Sequence, residues 1–125
     1  MASVTFFPVR ARTKEVDIVG GRWAGGGAAT NCTRVSGRGI ASVAYVSQGK
    51  YLITLEKKFP YIHSVHIQPL TALTLGATVA LTAISTSAGT IAFSFFDVTG
   101  AALKDILTTE ELHITILGIN STVQP

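Results

Sequence analysis

From residue 34 onward, apolar and polar positions alternate with a period of two between bends marked by glycine. This spacing puts one face of a β-strand in a core and the other outside it. The clearest pair is a hairpin. Val43 and Tyr45 alternate with Ser42 and Ala44, and Ser47-Gln48-Gly49-Lys50 follows as a turn with glycine where a positive φ is needed. Tyr51, Ile53 and Leu55 then share a face opposite Leu52, Thr54 and Glu56. Ser36-Gly37-Arg38-Gly39 reads as the turn before this hairpin, and Phe59-Pro60 as the corner after it. The alternation predicts another strand over 62–68, with His63, Val65 and Ile67 facing away from Ile62, Ser64, His66 and Gln68. It predicts one over 78–84, where Val79, Leu81 and Ala83 oppose Thr78, Ala80, Thr82 and Ile84. Ser85 to Gly89 is a turn, after which Ile91, Phe93 and Phe95 oppose Thr90, Ala92, Ser94 and Phe96. Asp97 to Gly100 is the next turn, and His113 to Ile119 closes the set with Ile114 and Ile116 against Thr115 and Leu117. Ala101 to Leu112 carries Thr108 and Glu111 at capping-box spacing. Residues of strand character follow at once, so this stretch reads as a loop holding a short strand or a single helical turn.

The first third is less regular. Residues 2–9 alternate weakly, and Pro8, which cannot donate to a ladder, makes them an edge strand or an extended arm. Thr13 to Val19 is a second short strand with Val16 and Ile18 on one side. Residues 20–30 hold five glycines and read as a connector with no strand of its own. Trp23 in its middle is either pinned against the core or offered to a partner. Together these signals predict about seven to nine short strands and an all-β fold. The expected architecture is an antiparallel β-sandwich, jelly-roll-like, over residues 34–125, preceded by an extended N-terminal arm and Gly-rich loop over residues 1–33.

Composition sharpens this picture. In 125 residues, hydrophobic side chains make up 47% and charged ones only 14%, against about 25% charged in an average soluble domain. A surface so poor in charge is one that partners cover, which points to a homo-oligomer or a larger assembly. Residues 59–96 contain no Asp, Glu, Lys or Arg, but the density of Thr and the breaks at Gly76 and Gly89 favour strands over a membrane span. Met1-Ala2-Ser3 lacks the basic start of a signal peptide, and Arg10 and Arg12 interrupt any apolar run. The net charge of +3 is uneven: the basic excess lies in residues 1–38, and residues 39–125 are slightly acidic. Phe6, Phe7, Arg10, Arg12, Arg22 and Trp23 form the only mixture of basic and aromatic residues, and are the candidate partner-binding set. Nucleic acid is the less favoured partner, because the charges are thinly spread.

Chemistry finds few footholds. Cys32 is the single cysteine, so no disulfide forms within the chain, and it reads as a buried inert thiol. His63 and His66 are three apart on a strand and point to opposite faces, so a shared metal needs a bulge. Glu110 and Glu111 are adjacent and lie on different sides of the chain, and Asp97 and Asp105 sit at turns where Asp accepts backbone N–H bonds. The Gly20–Gly27 run lacks the Lys-Ser/Thr ending and the helix of a phosphate loop. Asn31-Cys32-Thr33 and Asn120-Ser121-Thr122 match the glycosylation sequon, but read as turn residues. The expectation is a protein that is not an enzyme, with no catalytic residue, metal or cofactor.

Val35-Ser36-Gly37-Arg38-Gly39-Ile40-Ala41-Ser42-Val43, Gly49-Lys50-Tyr51-Leu52-Ile53-Thr54-Leu55 and Phe59-Pro60-Tyr61-Ile62 resemble a module of tailed-bacteriophage virion structural proteins of the capsid-decoration (cement) type. Asp97-Val98-Thr99-Gly100 and His113-Ile114-Thr115-Ile116-Leu117 fit the end of that module, so the resemblance spans residues 34–119. It implies a β-sandwich on the exterior of a bacteriophage capsid, made in the host cytoplasm. It also implies binding to the major capsid protein, as a dimer or trimer, with residues 1–33 as the variable attachment segment. The rival reading is a tail or fibre adhesion module that binds a host surface glycan through loop aromatics such as Trp23, Tyr45 and Tyr61. A small enzyme on a jelly-roll scaffold is the third.

Overall fold

The computed structural model describes residues 16–70, 78–97 and 102–120. Eight strands account for most of them: β1 (Val16–Ala24), β2 (Thr33–Arg38), β3 (Ile40–Ser47), β4 (Lys50–Leu55), β5 (Tyr61–Leu70), β6 (Thr78–Ser85), β7 (Thr90–Phe96) and β8 (Glu111–Ile119). They form two four-stranded antiparallel sheets, in the order β2-β1-β8-β5 and β3-β4-β7-β6. The sheets face each other over one core, as expected for a β-sandwich. Trp23, Leu112, Ile114 and Ile116 come from the first sheet, and Val43, Tyr51, Ile53, Ile91, Phe93 and Phe95 from the second. Tyr51 and Phe93 stack with ring centroids 5.6 Å apart. Each buried side chain of this size stabilises the fold by about 1.5–3 kcal/mol relative to exposure.

The β3–β4 hairpin keeps Val43 and Tyr45, and Tyr51, Ile53 and Leu55, toward the core, with Gln48-Gly49 at the tip and Gly49 at φ +70°, although its register shifts between Ile40 and Ser42 and between Tyr45 and Ser47. Elsewhere the tertiary structure departs from the expected pattern. Residues 20–24 are not a loop. They complete β1, which lies inside its sheet between β2 and β8. The Gly-rich connector begins only after Ala24. Ser36, Gly37 and Arg38 are likewise strand, paired with Arg22, Gly21 and Gly20, and the bend is confined to Gly39. The expected boundary at residue 33 therefore has no counterpart, because β1 and β2 pair across it. The physical reason is that neighbouring strands saturate the backbone of glycines whose own propensity is for turns.

Register shifts occur along all four edge strands, and those in β5 and β6 redistribute the expected faces. One lies between Ile62 and Ser64, so Ile62 joins Val65 and Ile67 against the core and His63 is exposed. Another lies between Leu81 and Ala83. Of the three residues expected to face inward there, only Val79 packs on the core, while Leu81 and Ala83 are exposed. Residues 102–110 contain no helix. They hold a bridge between Phe96 and Leu103 and a turn at Thr108-Thr109, and they bury Ile106 and Glu110. No helix among the described residues is long and apolar enough to cross a membrane.

Candidate functional site

β1 sorts its side chains by parity. Arg22 points out of the sandwich and Trp23 points in, where it is 4% exposed. Of the two expected places for Trp23, the core is the one it takes. Arg34, opposite it on β2, holds its guanidinium 5.4 Å from the indole centroid. The same guanidinium reaches Glu56 at 3.3 Å and the Ile40 carbonyl, closing the side of the sandwich. Arg22 and Trp23 thus belong to different surfaces despite being neighbours in sequence. Phe6, Phe7, Arg10 and Arg12 lie outside the described residues.

On the outer face of the first sheet, Arg22 donates from Nε and Nη2 to the two carboxylate oxygens of Glu111, both at 3.0 Å. This forked pair raises the Arg22 pKa and holds the Glu111 carboxyl below the usual glutamate range. His113 Nε2 stands 3.5 Å from the same carboxylate. Beside this cluster the sheet surface carries a shallow, open depression of about 600 Å³, lined by Arg22, Arg38, His113 and Gly20, Gly21 and Gly37. The glycines let β2, β1 and β8 approach closely here. Gly20 and Gly21 have φ near +154° and +155°. A Cβ at Gly20 collides with the Ile114 carbonyl and one at Gly21 with the Ser36 carbonyl. Bare backbone forms the floor, and basic side chains stand at the rim. Arg38 has no ion-pair or hydrogen-bond partner among the described residues. The groove is not legible in the sequence, where Gly20–Gly21 has the composition of a loop. The available signal was the arginine directly after paired glycines, in a segment flanked by Val16, Ile18 and Trp23.

Other reactive groups are held in structural roles. Cys32 is buried, and burial pushes its thiol up to about 12. Asp105 accepts from the Ala29 and Gly49 N–H groups at 3.1 and 3.0 Å, tying two loops together, as expected of an Asp at a turn. Asn31 Oδ1 accepts from the Tyr45 N–H at 2.8 Å. Glu110 is fully buried, held by Lys104 Nζ at 2.9 Å from each oxygen and by the Leu107 N–H. Its neighbour Glu111 lies on the opposite side of the chain, as the adjacency predicts. Among the described residues no three of His, Cys, Asp and Glu come together as a metal site would require. What the outer groove offers is charge-assisted hydrogen bonding to an oxyanion. No protein-family model, no curated protein and no solved structure matches this chain, so the β-sandwich and its groove stand on their own geometry.

Proposed function

We propose that this protein is a non-enzymatic structural component of a bacteriophage virion. In this reading it decorates the capsid exterior as a homo-oligomer, binds the major capsid protein and stabilises the head. The observation that carries the reading is β6. It is an edge strand of eight residues without a charged side chain, and it exposes Leu81 at 44% and Ile84 at 47%. A long, uncharged edge is a template for pairing with another chain, and isolated proteins blunt such edges with Lys or Pro. An assembly protein needs such a strip, and its main-chain hydrogen bonds give adhesion without chemistry. The adhesion reading asked for exposed loop aromatics such as Trp23, Tyr45 and Tyr61: Trp23 lies in the core, Tyr45 packs edge-on to Tyr51 at 5.6 Å, and Tyr61 is 37% exposed at the start of β5.

Immunogold labelling of virions with an antibody to this chain tests the proposal. Label on heads, with capsids lacking the chain releasing DNA at lower temperature, supports it. Label at the tail tip, or capsids equally heat-resistant without the chain, overturns it.

A further inference from the structure

We infer that the groove over Gly20, Gly21 and Gly37 is a docking site for an acidic peptide segment of a protein partner. This goes beyond the capsid proposal and does not depend on it.

Three observations carry the inference. The first is charge: Arg22, Arg38 and His113 line the cavity, and among the described residues no acidic side chain lines it. Glu111 sits beside it, already engaged by Arg22. Arg38, on edge strand β2, keeps a free fork among the described residues, exposed at the groove mouth. A guanidinium fork matches a carboxylate in planar, two-bond geometry, and the Arg22–Glu111 pair displays that geometry on this same face.

The second is the floor. Gly20, Gly21 and Gly37 carry no side chain because the neighbouring strand backbone stands where a Cβ would be, so the lining there is backbone. The third is the wall. Ile18 borders the groove as an apolar side chain at 54% exposure, whereas Ile114 turns its side chain into the core. An apolar wall beside a free arginine suits a segment in which a carboxylate alternates with aliphatic residues. Among the described residues no aromatic side chain lines the groove. Single-stranded nucleic acid relies on such rings for base stacking, so a peptide is favoured over it.

The test is a titration of the ¹⁵N-labelled full chain at low ionic strength with four probes. These are a peptide of alternating Glu and Val, its Gln-for-Glu counterpart, inorganic phosphate, and a thymidine oligonucleotide. The expected result is that the Glu peptide alone saturates and shifts the amides of Gly20, Gly21, Gly37 and Thr115. Arg38→Glu is expected to weaken that binding about tenfold or more, the loss of one charge-assisted fork. Lys50→Glu makes the same change of charge on the other sheet, at an exposed position, and is expected to leave binding unchanged. Both positions are exposed, and an unaltered melting temperature checks that each variant folds. Equal weakening by the two variants overturns the site. So does absence of shifts with the Glu peptide, or saturation by phosphate or by the oligonucleotide at lower concentration than the peptide.

Discussion

Tyr51 shows how one polar atom is accommodated in an apolar sandwich. Its ring belongs to the core, and its hydroxyl accepts the Ile106 N–H at 2.8 Å. Burial pushes its pKa up to about 12. Tyr51→Phe leaves that N–H buried without its partner, and urea denaturation is expected to show a loss of about 1–3 kcal/mol. Cys32 obeys the same logic. Its thiol is raised from 9.0 to about 12 by burial, so the folded state keeps a proton that the unfolded chain releases. Stability from this group is complete below pH 9 and declines as pH rises toward 12. The folded protein is expected to resist a thiol reagent at pH 8 and to react with one equivalent once denatured; fast reaction of the folded protein contradicts this. Glu111 has the opposite sign. Its carboxyl is lowered mainly by the hydrogen bonds from Arg22, so its contribution is present above the ordinary glutamate range and is lost as pH falls through the folded value. Glu111→Gln is expected to flatten the acid limb of the melting-temperature profile.

At the level of the element, β1 and β6 are the informative strands. β1 runs through two glycines because its neighbours approach too closely for any Cβ. Gly20→Ala sets a methyl against the Ile114 carbonyl at a φ that L-residues avoid. A loss of about 3 kcal/mol or more is expected in chemical denaturation. β6 has the reverse property, since most of its side chains pack on nothing within the described chain. Leu81→Lys places a charge on this edge and is expected to lower the oligomeric mass in analytical ultracentrifugation while leaving the melting transition in place. An unchanged mass removes β6 from the interface. The β3–β4 hairpin and its inward residues were legible, because a short turn with glycine at positive φ and the alternation of β4 act locally, although the two register shifts in β3 were not. Nor were the faces of β5 and β6. A bulge reverses parity, and whether one forms depends on the partner strand's register, which no local pattern encodes.

For the whole molecule, the order β2-β1-β8-β5 means that the first and last described strands are neighbours. β8 receives β1 on one side and β5 on the other, and carries Leu112, Ile114 and Ile116 into the core. A chain starting at residue 34 lacks β1 and Trp23, and exposes the edge of β8. It is expected to show no cooperative thermal unfolding, whereas the full chain melts in one transition that a reducing agent does not move. Retention of a cooperative fold by the shortened chain contradicts the central place given to β1. The closed loop end belongs to this scale too. Lys104 and Glu110 form a buried ion pair within residues 102–110, and Asp105 ties that segment to the loops at Ala29 and Gly49. Nothing in the sequence separates the buried Glu110 from the outward-facing Glu111 beyond the fact that adjacent residues diverge.

The amino-acid order alone determined the all-β character, the hairpin, the inward set of β4 and β7, and an unusually charge-poor surface, because two-residue periodicity and composition are local or additive quantities. The groove, the strand status of Gly20 to Ala24, and the division of Arg22 from Trp23 were decided by the tertiary structure. Glycine carries no side chain to announce which strand will approach it. Only when β2 and β8 close on β1 does neighbouring backbone take the place of the missing Cβ atoms, with Arg22 and Arg38 beside it.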